Sequence, residues 1–377
     1  MAAMTLEQLL DSLTTEGELY TKHDDGSVTC YACGHRCLIK PGRRGICKVR
    51  FNEDGVLKVP RGYVGALQSD PTEKKPFFHI YPGSDTLTFG MLGCDLHCSY
   101  CQNWVTSQAL RDPASELAGA QPAQVSPQKL VALAKQQGAQ LVGSSYNEPL
   151  ITSEWAVEVF KAATQAGLKC VYISNGNATR EVLEYIRPYV SGYKIDLKTM
   201  SDKNYRKLGA VLQNVLDGVT MVHDLGFWLE IVTLVIPGFN DSDAELMDAA
   251  RFLASLSPDI PWHVTAFHKD YKMLDPDNTT ARTLLRAAEI GEEAGLRYVY
   301  AGNLPGEVGE YEHTFCPNCR ARLIERYGYI ILDYRLTAQG ACPDCGTQIP
   351  GLWTDRPDTV RLYGPGRPRP VAAVFRR

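Results

Sequence analysis

The feature that most constrains the fold is an alternation, along the middle of the chain, between short apolar runs and amphipathic helical stretches. Six runs have strand length and are rich in β-branched or aromatic residues: 86–92, 140–146, 169–174, 192–197, 228–236 and 262–267. Each run is apolar almost throughout, as a parallel strand covered on both faces is. The alternation therefore predicts a parallel α/β sheet, and a seventh run at 297–303 is a candidate to extend it.

The stretches between these runs carry the start and stop signals of helices. Ser126 and Pro127 open one helix, Thr152 or Ser153 opens the next, and glycines at 138 and 167 close them. Six consecutive strand–helix units predict a partial parallel barrel of the (β/α)6 type. In such a fold the functional side chains lie at the carboxyl ends of the strands.

Composition limits the class of protein. The 377 residues are 44% hydrophobic, and 39 basic against 43 acidic residues give a net charge of −4. Such a chain can bury a large core, and its charge draws it neither to nucleic acid nor to an anionic membrane. The first residues lack a secretory signal, and no apolar run approaches the roughly 18 residues of a transmembrane helix. The sequence predicts a cytoplasmic protein with an N-terminal docking helix.

The chain has twelve cysteines, and eleven of them fall into three groups. In a reducing compartment, grouped cysteines are metal ligands or catalytic residues more often than disulfides. The groups are Cys30, Cys33, Cys37 and Cys47; Cys94, Cys98 and Cys101; and Cys316, Cys319, Cys342 and Cys345. The remaining cysteine, Cys170, lies alone in a strand-like run and is expected to be a small buried residue.

The central group, in the segment GCDLHCSYCQN, directly follows the first predicted strand and has the spacing C-x3-C-x2-C. Four cysteines close a tetrahedral zinc site or saturate an iron–sulfur cluster, whereas three leave one iron of a [4Fe-4S] cluster without a protein ligand. That iron is open to a substrate or cofactor. The alternative is a zinc loop in which His97 supplies the fourth ligand.

With Tyr100 before its last cysteine, this loop resembles that of the radical S-adenosylmethionine (SAM) superfamily. The resemblance implies a [4Fe-4S] cluster held by Cys94, Cys98 and Cys101, with SAM on the open iron through its amino and carboxylate groups. It also implies an electron donor such as a flavodoxin or ferredoxin. The electron breaks the sulfonium bond and releases methionine and a 5'-deoxyadenosyl radical.

Later strand ends carry further residues that fit this resemblance. The segment SSYNEP resembles the one that holds the SAM amino group, with Glu148 as acceptor and Asn147 beside it, although Tyr146 and Asn147 replace its paired glycines. The segment ISNGN resembles the ribose-binding position, which Ser174 and Asn175 would fill. Each residue taken alone has a simpler interpretation as a helix cap or a solvated loop residue.

Two more segments extend the set. YKIDLK resembles the Asp-Leu-Lys segment of glycyl-radical activases, which implies that Lys198 pairs with the SAM carboxylate. Asp196 would lie beside it and could hold a monovalent cation. In TAFHKDYKM, His268 is expected to reach over the adenosyl group.

Over residues 28–305 the layout is similar to that of the radical SAM member of the AmmeMemoRadiSam group, which is related to pyruvate formate-lyase activating enzymes. The segments that carry this similarity are CYACGHRCLIKPGRRGICKVR, GCDLHCSYCQNW, YNEP, KIDLK and VIPGFND. The similarity implies a protein or peptide substrate and association with Memo-like or AMMECR-like proteins.

The two outer cysteine groups predict small metal modules. Cys316, Cys319, Cys342 and Cys345 form two C-x2-C pairs separated by 22 residues, a spacing typical of a zinc ribbon. The N-terminal set, C-x2-C-x3-C-x9-C, is less regular and includes His35; zinc is predicted there, and a second iron–sulfur cluster is the competing interpretation. No basic and aromatic stripe supports nucleic-acid binding.

These features predict four parts: an N-terminal helix and four-cysteine metal module over 1–83, a partial radical SAM barrel over 84–305, a zinc-ribbon-like module over 306–354, and a proline- and arginine-rich tail over 355–377. The predicted function is that of a radical SAM oxidoreductase, related to activating enzymes, that abstracts hydrogen from a protein or peptide. The same chemistry on a small molecule is the alternative. A non-catalytic, metal-stapled interaction protein would leave the absence of a fourth central cysteine unexplained.

Overall fold

The computed structural model describes residues 4–371. Its N-terminal part contains one helix and eight short strands: α1 (Leu6–Ser12), β1 (Thr14–Glu16), β2 (Tyr20–Lys22), β3 (Val28–Cys30), β4 (Leu38–Ile39), β5 (Phe51–Glu53), β6 (Val56–Pro60), β7 (Tyr63–Val64) and β8 (Ala66–Pro71). Helix α1 begins after Thr5, whose side chain accepts a hydrogen bond from the backbone N–H of Gln8. It buries Leu6 and Leu10 in the main hydrophobic core. The helix expected at this end is therefore present.

The N-terminal strands form two small antiparallel sheets, ordered β1–β6–β5 and β2–β3–β4. A buried ion pair connects this part to the rest of the protein: Arg50, only 1% exposed, donates to both carboxylate oxygens of Glu154, at 2.6 and 2.9 Å. Removing one member of such a pair would leave the other charge buried and uncompensated. The pair therefore holds the N-terminal part in one position.

The central part alternates strands and helices. Its elements are β9 (Asp85–Gly90), α2 (Trp104–Ser107), α3 (Pro113–Leu117), β10 (Ala123–Gln124), α4 (Pro127–Gln136), β11 (Leu141–Ser144), α5 (Ser153–Gln165), β12 (Lys169–Ser174), α6 (Arg180–Ile186), β13 (Gly192–Asp196), α7 (Asp202–Leu208), α8 (Leu212–Asp224), β14 (Trp228–Val235), α9 (Asp243–Leu256), β15 (Trp262–Ala266), α10 (Ala281–Glu293) and β16 (Val299–Gly302). Helix α4 has Ser126 as its N-cap and proline in its first turn, as the sequence predicts.

Seven of these strands form one parallel sheet in the order β16–β15–β14–β13–β12–β11–β9. All six predicted strands are present, and the seventh run supplies the edge strand β16. Strand β8 then pairs antiparallel with β9 and extends the sheet on the other side. The predicted α/β fold with a large parallel sheet is confirmed.

The strands of the main sheet are largely buried. All six residues of β9 and all four of β11 are buried. Cys170 on β12 is fully buried too, as expected for a small core residue. The loops that follow the carboxyl ends of parallel strands share one edge of the sheet, and functional groups are expected there.

The C-terminal part forms a small sheet of its own. Its strands are β17 (Thr314–Phe315), β18 (Arg322–Tyr327) and β19 (Ile330–Tyr334), paired antiparallel in that order. Their core also contains Phe78, Tyr298 and Tyr300 from outside this segment. The small sheet therefore packs directly on the main one. The division of the chain into four parts stays a prediction.

The last described segment runs back along the main sheet. Strand β20 (Arg369–Pro370) pairs antiparallel with β8. Arg361 and Arg369 both donate to the buried carboxylate of Asp85, at 2.8 and 2.6 Å. The rest of the predicted tail, 372–377, lies outside the described residues. Across residues 4–371, no helix has both the length and the apolar character needed to cross a membrane.

Two glycines allow α8 to approach the loop after β12. A Cβ added at Gly218 in α8 would lie 2.0 Å from the backbone oxygen of Gly176, which is far inside contact distance. Gly176 itself has a φ of +78°, a left-handed conformation that favours glycine. The contact fixes the loop that carries Asn175 and Asn177.

Replacing Gly218 with alanine should destabilise the protein. Alanine favours a helix interior by about 1 kcal/mol over glycine, but the clash with Gly176 should cost about 1–3 kcal/mol or more. Urea unfolding should show a lower midpoint for Gly218→Ala. The exposed neighbour in the same helix is the control, because Asp217→Ala should change stability by no more than about 0.5 kcal/mol. A raised midpoint for Gly218→Ala would contradict the close approach.

Candidate functional site

The central cysteines lie on a loop between β9 and α2. Cys98 is buried, and Cys94 and Cys101 are partly buried. The Cys101 thiol lies 3.2 Å from the Ser107 hydroxyl, and the Cys94 thiol donates to Asp95 at 3.7 Å. Burial raises the pKa of all three thiols, that of Cys98 to about 12. A nearby metal centre would therefore be needed to keep them as thiolates.

Asp95 fixes this loop to the end of β12. Its carboxylate is fully buried and accepts hydrogen bonds from the side-chain amides of Asn175, at 2.7 Å, and Asn177, at 2.9 Å. On the other side, Gly93 has a φ of +93°, and a Cβ there would lie 2.7 Å from Val49. The cluster loop is therefore held between the third strand end and the N-terminal cysteine module.

The loop faces a cavity of about 620 Å³ at the carboxyl edge of the parallel sheet. This volume is within the range of cavities that bind small organic ligands. Six of the predicted site residues line it: Cys98, Tyr100, Cys101, Asp196, Lys198 and His268. The structure thus brings together side chains that are up to 170 residues apart, counting from Cys98 to His268.

The cavity wall is strongly charged. Asp196 lies between Lys194 and Lys198, with Lys198 at 3.3 Å and Lys194 in hydrogen-bond contact. Burial opposes the charge on Asp196, but the two lysines outweigh it and hold the pKa of the carboxyl below its usual value. At Lys75, in contrast, burial prevails and lowers the pKa to about 8. The Asp70 carboxylate, 2.5 Å away, opposes this shift. The wall therefore contains three lysines that are each paired with an aspartate: Lys194 and Lys198 with Asp196, and Lys75 with Asp70.

The other four predicted SAM-binding residues lie beside the cavity, outside its lining: Asn147, Glu148, Ser174 and Asn175. Glu148 is 2% exposed and accepts hydrogen bonds from the Ser174 hydroxyl and the Asn175 backbone N–H, both at 2.7 Å. It also accepts from the N–H of Leu150 at the start of the 3-10 helix Pro149–Thr152. Asn147 accepts from the N–H of Met91 at 2.9 Å. Their predicted roles toward SAM stay predictions.

The electrostatic state of Glu148 depends on this setting. Burial, and then the nearby Asp95 carboxylate, raise the pKa of Glu148 to about 8. Burial therefore favours the protonated form of Glu148, and a cation close to it would favour the ionised form. A ligand ammonium group would supply that cation.

Sequence reasoning missed several residues of the cavity wall. Lys194 is one, although it has a signal: alternation along β13 places positions 194 and 196 on one face, so a lysine there joins Asp196. His263 is another, and its Nε2 lies 2.7 Å from the buried carboxylate of Glu230. Lys75 follows the antiparallel strand β8, outside the alternating pattern, and gave no signal.

The C-terminal cysteines form a compact thiol group. The sulfur atoms of Cys316 and Cys345 are 3.5 Å apart and those of Cys319 and Cys342 are 3.7 Å apart. All four sulfurs lie within 4.8 Å of one another. Four thiolates on one tetrahedral zinc ion, at about 2.3 Å each, stand about 3.8 Å apart. The donor set and spacing therefore fit a metal ion.

Comparisons with known proteins identify similar sequences. The model of the Radical SAM superfamily matches residues 89–250. An uncharacterized protein of Methanocaldococcus jannaschii is 36% identical over 339 residues, which cover 89% of this chain and 98% of that protein.

Among solved structures, a domain of pyruvate-formate lyase-activating enzyme from Bacteroides vulgatus is 21% identical, with a TM-score of 0.39, over 43% of this chain and 98% of that chain. A radical SAM methyltransferase from Sphaerobacter thermophilus is 16% identical, with a TM-score of 0.45, over 59% of this chain and 68% of that chain. The sequence matches, together with the cysteine loop at the carboxyl edge of a parallel sheet, identify the family. The chain belongs to the radical SAM superfamily.

Proposed function

We propose that this protein uses SAM and a [4Fe-4S] cluster on Cys94, Cys98 and Cys101 to abstract hydrogen from a protein or peptide. Membership of the superfamily implies the cluster, SAM and an enzymatic activity. When bound, the cluster supplies the electron that cleaves SAM reductively to methionine and a 5'-deoxyadenosyl radical. The observation that carries the proposal is that Cys98 and Cys101 open into the same cavity as Lys198 and Asp196.

The residues present fit these groups. Three thiols on one loop provide three cluster ligands, and the cavity beside them is large enough for SAM with room for part of a substrate. On this proposal, Lys198 pairs with the SAM carboxylate and keeps Asp196 as its neighbour. Lys194 already gives Asp196 a cationic partner. A monovalent cation at Asp196 stays a prediction.

The proposal assigns the amino group of SAM to Glu148. Burial raises the pKa of this carboxyl, and an approaching ammonium group would favour its ionised form. Ser174, the Asn175 backbone and the Leu150 backbone donate to the carboxylate and keep its orientation. His268, whose Nε2 lies 2.9 Å from the Gln102 amide, is then available at the exposed side of the cavity for adenosine or substrate.

A macromolecular substrate is supported by the parts of the chain that line the cavity. The cavity lining includes Lys74 and Pro76 from the N-terminal side and Gly328 and Tyr329 from the C-terminal hairpin. Next to these lies Tyr327, a 52% exposed aromatic side chain. The similarity to glycyl-radical activases points the same way, and Memo-like or AMMECR-like proteins are the proposed partners. A small acidic molecule is the alternative, favoured by the lysines of the wall.

The proposed zinc of the C-terminal set would have a structural role. Its four thiols bring together the two ends of a segment that contains the strands β18 and β19. Because that segment also supplies Gly328 and Tyr329 to the cavity, the metal would keep this part of the wall in place.

Replacing Cys94, Cys98 and Cys101 together with alanine should lower the iron content by about four per chain and abolish 5'-deoxyadenosine formation. The reason is that no other described cysteine lies on this loop. Iron analysis after anaerobic reconstitution, and chromatography of the SAM products under strong reductant, are the measurements. Cys170→Ala is the matched control, and it should keep both. Full iron and continued SAM cleavage in the triple variant would disprove the cluster assignment.

Glu148→Gln and Lys198→Met should each weaken SAM binding while leaving the iron content unchanged. Loss of one charge-assisted hydrogen bond is worth about 1.5–3 kcal/mol, which is about 10- to 150-fold in affinity. Binding is measured by calorimetry on the oxidised cluster. Glu158→Gln is the control, because that glutamate pairs with Arg61 outside the site. Unchanged binding by Glu148→Gln would leave this residue as the N-cap of the 3-10 helix alone.

The substrate class is tested with a perdeuterated partner protein. If hydrogen is taken from a polypeptide, 5'-deoxyadenosine formed in its presence should carry deuterium by mass spectrometry. The triple cysteine variant is the control and should form none. Unlabelled product with every candidate polypeptide, and labelled product with a deuterated small acid, would favour the alternative.

A further inference from the structure

We infer that His263, in the wall of the cavity, binds the substrate by accepting a hydrogen bond at its Nδ1 from an N–H or O–H group. Every polypeptide carries such groups in its backbone amides and in many of its side chains. This inference rests on the proposed function, because it assigns the part of the cavity around His263 to the substrate.

His263 lies in the same row of the parallel sheet as Asp196. It pairs in register with Val232 on one side and with Tyr300 on the other, and Val232 pairs with Asp196. All four residues line the cavity, so the row runs across its wall. Neighbouring strands are about 4.8 Å apart, which places the backbones of Asp196 and His263 about 10 Å from each other. A substrate that lies beside SAM at Asp196 would therefore come within reach of His263.

Glu230, which holds the His263 ring, is surrounded by hydrogen-bond donors. It is fully buried, and the backbone N–H groups of Phe78 and His79 donate to it at 2.9 and 3.0 Å. The indole N–H of Trp228 donates at 3.0 Å. Burial opposes a charge on Glu230, but the hydrogen bonds from His263 and Phe78 outweigh it and hold the pKa of the carboxyl below its usual value. Glu230 is therefore an ionised group that can only accept hydrogen bonds.

The ionised carboxylate fixes the position of the proton on the His263 ring. Because Glu230 can only accept, the Nε2 of His263, which lies 2.7 Å away, must donate to it. Burial lowers the pKa of His263, and Glu230 opposes this shift. The ring is therefore neutral, and Nδ1 carries a lone pair in place of a proton.

This lone pair is not used within the protein. In residues 4–371, Glu230 is the one hydrogen-bond partner of the His263 ring. The polar atoms that are both sealed and unpartnered in this part of the chain do not include Nδ1, so Nδ1 retains contact with solvent. The side chain is only 2% exposed and it lines the cavity. A partner for Nδ1 can therefore reach it only from the cavity.

Aromatic neighbours keep the His263 ring in this orientation. Tyr300 stacks on the ring, with centroids 5.1 Å apart and planes at 25°, and Phe78 meets it edge-on at 4.8 Å. The hydroxyl of Tyr300 is itself hydrogen-bonded to His79 and Thr314, at 2.7 and 2.9 Å. The acceptor is thus ordered before a ligand arrives, and binding does not require a mobile side chain to be immobilised.

A purely structural role, in which His263 only neutralises Glu230, is the competing interpretation. Two substitutions separate the roles. In His263→Gln the amide nitrogen can take the place of Nε2 and keep the bond to Glu230, while the acceptor at Nδ1 is lost. In His263→Asn the amide oxygen can take the place of Nδ1, while the bond to Glu230 is lost. A structural histidine would make His263→Asn the more damaging change, whereas a substrate-binding histidine makes His263→Gln the more damaging change to substrate affinity.

The first test needs no substrate and uses the holoenzyme with an oxidised cluster and SAM. The protein is labelled with ¹⁵N at its eight histidines, and His263→Gln identifies the signals of His263 by removing them. Two-bond ¹H–¹⁵N correlation should show a proton on Nε2 and none on Nδ1. N-methylacetamide, a probe with one amide N–H, should shift the Nδ1 resonance, whereas N,N-dimethylacetamide, which has no N–H, should not. A proton on Nδ1, or equal responses to the two amides, would overturn the inference.

The second test measures 5'-deoxyadenosine formation at increasing concentrations of a Memo-like or AMMECR-like protein. For the polypeptide that serves as substrate, His263→Gln should raise KM by about 2- to 12-fold, the effect of losing one neutral hydrogen bond, with a smaller change in kcat. His223→Gln, on the exposed surface of α8, is the control and should change neither. Unchanged KM in His263→Gln, together with a raised KM in His263→Asn, would establish the structural role instead.

Failure of the proposed function gives a different result. If the wild-type holoenzyme does not cleave SAM, or takes deuterium from no perdeuterated polypeptide, the proposed activity or substrate class is wrong. The Nδ1 resonance and its response to the two amides then decide the inference by themselves.

Discussion

The site depends on one constraint, which is that seven strands of the main sheet run in the same direction. Their carboxyl ends therefore lie along one edge, and the loops after them share one space. This is why Cys98 in the first loop and His268 after β15 line a common cavity. Asp95 fixes the position of the cysteine loop. Its carboxylate is fully buried, and the side-chain amides of Asn175 and Asn177 supply the hydrogen bonds that a buried charge requires. The cluster loop cannot move without breaking those bonds.

Much of the fold was predictable because covered parallel strands leave a strong pattern in the sequence. The run 169–174 and strand β12 coincide, and the run 228–236 differs from β14 by a single residue. The additions at the other edge of the sheet were not predictable. Strand β20 has two residues, and it depends on pairing with β8 and on Arg369 reaching Asp85, which are contacts over hundreds of residues. No local pattern encodes such a contact.

The candidate site also contains residues that the sequence could predict and residues that it could not. Residues at strand ends, such as Asp196 and Lys198, were predictable from position, and they line the cavity. Lys75 comes from the N-terminal part of the chain and Glu312 from the C-terminal part. Both line the cavity only because those parts pack against the main sheet. Glu148 illustrates a different limit: sequence position identifies it, but only the structure gives the three donors that already bind its carboxylate. Likewise, cysteine spacing could not tell zinc from iron and sulfide at the N-terminus, since both accept four thiolates.

The family match and the folded unit have different boundaries in this chain. Residues 89–250 end before β15 and β16, which complete the parallel sheet. A fragment with those ends would expose the hydrogen-bonding edge of β14 and would lose the buried Trp262 that β15 contributes. It would also lack Arg50, and so leave Glu154 buried without its cation. The segment that matches the family model is therefore not a complete folding unit. It would be expected to aggregate if it were produced by itself.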